Sequence, residues 1–365
     1  MRFQVIRALL VAILGIAATA GSSFAQGTMI DVRVRLDAGQ NTPITGALVA
    51  IVDGDRVISE GLSSQRGTIT LRAAPGTYRI RVRRIGYRPF LSDPVTLRAN
   101  NELVLHVDTD RVVLDAMVIS ASAQCGAITK DAQTLSAVWD EITKALRASQ
   151  LTLNDLGGMG RMLMYKRELG IHGEVISSDT TTLPITNLRP FGVSDLPSLT
   201  ERGYVRGDPQ AGWEYFGPDE TVLLSDAFAA THCFKVVRDR KKRPGQIGVA
   251  FEPAPKRKLS DIKGVLWVDE KTAELRDVGF VYVNAGLLTN FEPGGFTKFR
   301  RVHSGAWIVS EWQLRMPKLV ARRGTNESID VDGYIENGGR IMAADTNPKQ
   351  ERRARSSATD STRKK

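Results

Sequence analysis

The residue types able to do chemistry are few in this chain, and their spacing does not assemble them. None of the four histidines begins a His-x-x-Glu pair, so that source of zinc ligands is missing. His232 stands beside Cys233, but adjacent residues rarely close a tetrahedral site, and no further cysteine or histidine follows at zinc-like spacing. Ser260-Asp261-Ile262-Lys263 fits S-x-x-K, in which a lysine would take the proton of a nucleophilic serine. That chemistry wants the serine at the head of a buried helix and its partner motif far downstream. Here Lys271-Thr272 follows at once and Ala273 stands where the motif needs glycine. No G-x-S-x-G elbow occurs, and Gly157-Gly158-Met159-Gly160 lacks both a Walker lysine and a preceding apolar strand. Asp269 and Glu270 read as turn residues. The expectation is a non-enzymatic protein without metal or cofactor.

The elements that would have to position any site are strands. Gly264 to Pro317 holds runs rich in β-branched and aromatic residues, Val265–Val268, Arg276–Val283, Phe296–Val302 and Ala306–Met316, broken by polar turns. They predict a four-stranded antiparallel meander over residues 264–317. Trp267, Phe280, Tyr282, Trp307 and Trp312 fall within it, as core residues or as the lining of an apolar cavity. From Asp131 to Ala148 the period changes. Leu135, Val138, Trp139, Ile142, Ala145 and Leu146 take one side of a helix, and Asp140, Glu141, Lys144 and Arg147 the other. Burying that stripe is worth roughly 10 kcal/mol before entropy, and the meander is the expected partner. Between helix and meander, Arg161–Glu168 and His172–Ile176 suggest strands, Thr180–Pro218 looks irregular, and Thr221–Phe228 suggests a helical turn.

The N-terminus reads as an address. Arg2 and Arg7 precede an apolar run from Ala8 to Ala20, and Ser23-Phe24-Ala25 ends in small residues at the positions a signal peptidase reads. Residues 1–25 are therefore expected to be a signal peptide, and no later segment approaches the roughly 20 apolar residues of a membrane span. Export makes a disulfide the default for the only two cysteines, Cys125 and Cys233. The formal charge of +10 is not a nucleic-acid signal, because it is concentrated at the ends. Arg2 and Arg7 leave with the signal peptide, and residues 344–365 form a polar basic tail expected to be disordered. That tail could make weak contact with an anionic surface. The run Arg238–Arg243 ahead of Pro244-Gly245 reads as a solvated hairpin end.

Residues 28–108 alternate as short strands with Gly and Pro between them, the pattern of a small β-sandwich. Pro43-Ile44-Thr45-Gly46-Ala47-Leu48-Val49, Gln65-Arg66-Gly67, Pro75-Gly76-Thr77-Tyr78 and Ile85-Gly86-Tyr87 together resemble the carboxypeptidase regulatory-like domains of the transthyretin-like superfamily. The resemblance implies a carbohydrate-binding-like fold serving as an accessory module. Tyr78 and Tyr87 fall at family positions that look structural. Residues 109–124 follow as a connector, and Arg111–Ala123 within it is similar to the segment after this domain in TonB-dependent outer-membrane receptors, which implies a cell-envelope setting. Residues 125–343 are then an α+β domain, an antiparallel sheet packed on one amphipathic helix. Leu266-Trp267-Val268-Asp269 with Lys271-Thr272-Ala273-Glu274-Leu275 looks like the half-barrel sheets of outer-membrane lipoprotein carriers.

The expectation is thus a mainly β, exported protein of a bacterial periplasm or outer envelope, binding or scaffolding an envelope protein, glycan or lipid. A carrier of a lipid or other apolar ligand is the competing class.

Overall fold

The computed structural model describes residues 29–99, 102–112, 114, 132–155, 160–185, 190–191, 196–208, 212–302, 305–322 and 328–343. Among them the protein is mainly β. The expected signal peptide, the basic tail, most of the connector and Cys125 lie outside the described residues.

The first unit holds eight strands: β1 (Ile30–Asp37), β2 (Leu48–Asp53), β3 (Arg56–Leu62), β4 (Thr68–Ala73), β5 (Gly76–Arg83), β6 (Phe90–Leu91), β7 (Val95–Leu97) and β8 (Glu102–His106). They form two sheets, β4-β1-β8 and β3-β2-β5-β6, with β7 also on β5. Strand β1 shows why. Val32, Val34 and Leu36 are fully buried and alternate with exposed charged residues, so one face closes on Val49, Ile51, Ile80 and Val82 from the other sheet.

The second unit begins with α1 (Ala132–Asp155), then β9 (Arg161–Leu169), β10 (Val175–Pro184), α2 (Leu196–Arg202), β11 (Val205–Asp208), β12 (Gly212–Tyr215), α3 (Glu220–Leu223) and α4 (Asp226–Thr231). Seven strands follow: β13 (His232–Val237), β14 (Gln246–Pro253), β15 (Asp261–Asp269), β16 (Leu275–Val283), β17 (Gly294–Arg301), β18 (Trp307–Arg322) and β19 (Ser328–Ala343). The expected four-stranded meander is the middle of a nine-stranded antiparallel sheet, β10-β9-β19-β18-β17-β16-β15-β14-β13. Helix α1 touches β13 to β16 and β18. At about 1.5 Å per residue the 24 residues of α1 are long enough to lie across several strands spaced about 4.8 Å apart. Val138, Ile142, Ala145 and Leu146 from the helix share one core with Val249, Leu266, Val278 and Trp312 from the strands. None of the described helices is long and apolar enough to cross a membrane.

Three expectations need correction. Helix α1 runs on to Asp155, because Ser149 and Thr152 are buried on its far half and Ser149 Oγ donates to Glu220 Oε1 at 2.7 Å. Residues 180–218 are not irregular, since they include the end of β10, helix α2 and the β11–β12 hairpin. Arg238 and Arg243 are not simply solvated. Arg238 pairs with Glu270, while Arg243 forks onto Asp277 at 2.6 and 3.0 Å and lies over the Trp267 ring.

The two units are joined by a buried charge cluster on α1. Glu141 and Lys144 are 1% and 0% exposed and 2.7 Å apart. Glu141 Oε2 accepts from Gly86 N–H at 2.7 Å, and Lys144 Nζ donates to the Tyr87 carbonyl at 3.0 Å. The Ile85-Gly86-Tyr87 loop of the sandwich is therefore read by the helix, and Ile85 belongs to the second core. Gly86 has φ +82°, and a Cβ there would stand 2.6 Å from the Thr272 carbonyl oxygen, so only glycine fits the approach. Farther along, Glu60 pairs with Arg83 of its own sheet at 3.1 Å and with Arg147 of α1 at 2.7 Å. Removing one member of the buried pair strands the other charge. Lys144→Ala should cost about 3 to 5 kcal/mol in urea unfolding of the full chain, and Lys144→Met with Glu141→Gln should cost less. A Lys144→Ala loss below about 0.5 kcal/mol would remove the cluster from the account of interface stability.

Candidate ligand cleft

Strand alternation sorts the sheet residues into a face that meets α1 and a face that does not. Trp312, Leu314 and Met316 of β18 lie on the helix side. Across the ladders they align with Gly339, Asn337 and Ile335 of β19 and with Met164, Lys166 and Glu168 of β9. At this end of the sheet the β11–β12 hairpin supplies the opposing wall. The enclosed cleft has a volume of about 440 Å³. Its apolar lining comes from Trp213, Tyr215, Met316, Leu319, Val320 and Ile335, with Lys166, Lys318 and Asn337 among the polar residues.

The hairpin is held in place from below. Ser260 Oγ donates to the Val205 carbonyl at 2.8 Å and accepts from Val205 N–H at 2.9 Å, and Tyr204 N–H donates to the Ser260 carbonyl. Ser260 thus fastens β11 to the start of β15, while Lys263, its partner in the S-x-x-K pattern, is exposed. Tyr215 stacks at a tilt 5.5 Å from Tyr282, and Tyr282 Oη donates to the Phe216 carbonyl at 3.0 Å. Burial pushes the Tyr215 hydroxyl up to about 12. Tyr215 Oη and Trp213 Nε1 are both buried without a hydrogen-bond partner among the described residues, which leaves two donors of the cleft wall unspent. Lys318 pairs with Glu168 and lies 3.6 Å from Asp332. The hydrogen bond with Glu168 holds its ammonium pKa above the usual lysine value.

The five aromatic residues singled out in the sequence separate. Phe280, Tyr282, Trp307 and Trp312 are 1–4% exposed and sit in the core beneath α1. Trp267 is half-buried on the opposite face, where it lines a second apolar hollow with Cys233. Cys233 is not a free thiol, and its expected partner Cys125 lies outside the described residues.

Other titratable groups are tied into structural contacts. Fully buried Asp261 accepts from Arg257 Nε and from Ile262 N–H, and Arg257 donates onward to the carbonyls of Thr200 and Leu199 at the end of α2. His232 stacks on Phe228 with centroids 4.1 Å apart. Its Nε2 stands 3.1 Å from Asp261 Oδ1, without hydrogen-bond alignment. This cluster fastens α2, α4 and β13 to the head of β15. The sequence alone gives little sign of the cleft, because its wall lies within residues 180–218, expected to be irregular. The signal available was Trp213 and Tyr215 two apart, facing Val205 and Gly207 across the residues that become a hairpin turn.

No family model matches the chain, and neither does any curated protein.

Burial pushes the Glu220 carboxyl from 4.5 to about 7, against the hydrogen bond from Ser149. Between those values the unfolded chain has released a proton that the fold retains, so stability falls as pH rises through the window and levels off above it. Glu220→Gln keeps an acceptor for Ser149 and removes the titration. It should stabilise the protein by up to about 3 kcal/mol at pH 8 and leave pH 4 stability nearly unchanged. Equal gains at both pH values in denaturant titrations would mean that the carboxyl is not the cause.

Proposed function

We propose that this is a non-catalytic, exported binding protein of a bacterial envelope, in which the cleft between the nine-stranded sheet and the β11–β12 hairpin holds an apolar or amphipathic ligand. The reading is carried by one observation. An open volume of about 440 Å³ is walled by Trp213, Tyr215, Met316, Leu319, Val320 and Ile335, side chains that a filled core would bury. The size suits a single acyl chain or a molecule of similar bulk. Lys166 at its margin, with the buried donors of Trp213 and Tyr215, favours a ligand with an acceptor-rich end. The buried polar groups described above have structural duties, which supports binding rather than catalysis.

The sandwich serves as an accessory module on this reading, rigidly seated through Gly86 and Tyr87. A glycan site on it has less behind it, because the Tyr87 ring lies beneath the Arg84 guanidinium at 4.6 Å and its backbone is used by Lys144. Export also brings the pairing of Cys125 with Cys233, which in the usual loop-entropy account is worth about 4 to 5 kcal/mol.

Gentle purification followed by native mass spectrometry should find an acyl or comparable apolar species on the protein, and a fluorescent fatty acid should compete with it. Trp213→Ala should weaken that probe by about tenfold, equivalent to about 1.4 kcal/mol. Trp267→Ala, on the other face, should leave it unchanged. Probe binding that is absent, or that depends on Trp267 instead, would overturn the assignment of the cleft.

A further inference from the structure

The floor of the cleft is not uniformly apolar. Lys166 of β9 and Asn337 of β19 are direct partners in register, so both side chains leave the same face of the sheet, with their Cβ atoms roughly 5 Å apart. Both line the cleft and both are exposed. Among the described residues neither side chain takes part in an ion pair or a hydrogen bond. Asp179 of β10, aligned with Lys166 on its other side, is exposed and makes no ion pair with it.

The remaining charges of this floor are already matched. Lys318 has Glu168 and Asp332, and Glu168 stands two residues from Lys166 along β9. One rung beyond Asn337 on the same face, Ile335 pairs with Met316, and these two line the cleft with Leu319 and Val320. A cation and an amide donor side by side, next to an apolar trough, are the parts that hold the head and the chain of an amphipathic acid.

We infer that the cleft takes a single-chain carboxylic acid, its carboxylate on Lys166 Nζ and Asn337 Nδ2 and its chain along Met316, Ile335, Leu319 and Val320. This inference rests on the cleft reading above and adds the charge and the polarity of the occupant. One unmatched cation suits one negative charge. A phosphate monoester carries about −1.5 to −2 at neutral pH and leaves part of that charge unmet here. An amine sets like charge against Lys166, and an alcohol keeps the apolar contacts but gives the ammonium no counter-charge. Because Lys166 and Asn337 are open to solvent, the discrimination expected of them is about tenfold, well short of what a desolvated pair delivers.

The test is displacement of a neutral fluorescent probe, N-phenyl-1-naphthylamine, from the full chain at neutral pH. Four ligands of one chain length, decanoate, decanol, decyl phosphate and decylamine, are compared below their micelle concentrations. Decanoate should bind about tenfold tighter than decanol. Lys166→Met should remove that ratio and leave decanol unchanged, and Asn337→Ala should lower it two- to threefold. Lys263→Met, which changes an exposed lysine elsewhere on the sheet, should keep it. The wild-type ligand series decides the matter even where a variant folds poorly. Decanol as tight as decanoate, a decanoate preference that survives Lys166→Met, or tighter binding of the phosphate or the amine overturns the inference and leaves the cleft as an apolar site. Displacement by none of the four, or displacement lost in Trp267→Ala and kept in Trp213→Ala, overturns the cleft reading and this inference with it.

Discussion

Lys144 places its ammonium where none of the side chain meets solvent, and most of the architecture follows from how that is made tolerable. An unpaired charge in such a position costs several kcal/mol, so it must be surrounded by acceptors of fixed geometry. Glu141 and Asp140 supply two from its own helix, at 2.7 and 2.8 Å, and the Tyr87 carbonyl supplies a third from the neighbouring unit. Burial raises the Glu141 carboxyl above its ordinary value, with Lys144 and the Gly86 N–H opposing the rise. The pair is satisfied only when the sandwich loop is seated. Seating that loop makes two units, each with its own core, behave as one body.

Helix α1 is therefore asked to do two things with one surface pattern. Its apolar stripe packs on the sheet, and part of what a helical wheel marks as its solvent side is spent on the sandwich through Glu141, Lys144 and Arg147. Because the helix meets β13 to β16 and β18, the far end of the sheet has to find another cover. The β11–β12 hairpin provides it only in part, which leaves the cleft. The opening is thus a consequence of sheet width: nine strands present more surface on that face than one helix can bury.

The two faces of the sheet differ in the same terms. Toward α1 the residues are large and fitted together, as Phe280, Tyr282, Trp307 and Trp312 illustrate. Away from it Ala250 and Gly279 are small, and a Cβ on Gly279 would meet nothing within 4 Å.

Much of this was legible in the residue order. Alternation in Ile30–Leu36, the periodic stripe from Leu135 to Leu146, and the β-branched runs after Gly264 each carry their own signal, because a strand or helix repeats on its own length and a period of 2 or 3.6 survives without knowledge of neighbours. What could not be read is whatever depends on pairing between distant segments. Strand β19, broken by Gly333 and Gly338-Gly339, has little alternation of its own and is a strand because β18 and β9 flank it. Glu141 and Lys144 look like solvent-facing charges until the Gly86 loop closes over them. The cleft and the outer hollow exist only as spaces between elements, so tertiary packing decided them: a short-range pattern states which face of a segment is buried, but not what arrives to bury it or where the covering stops.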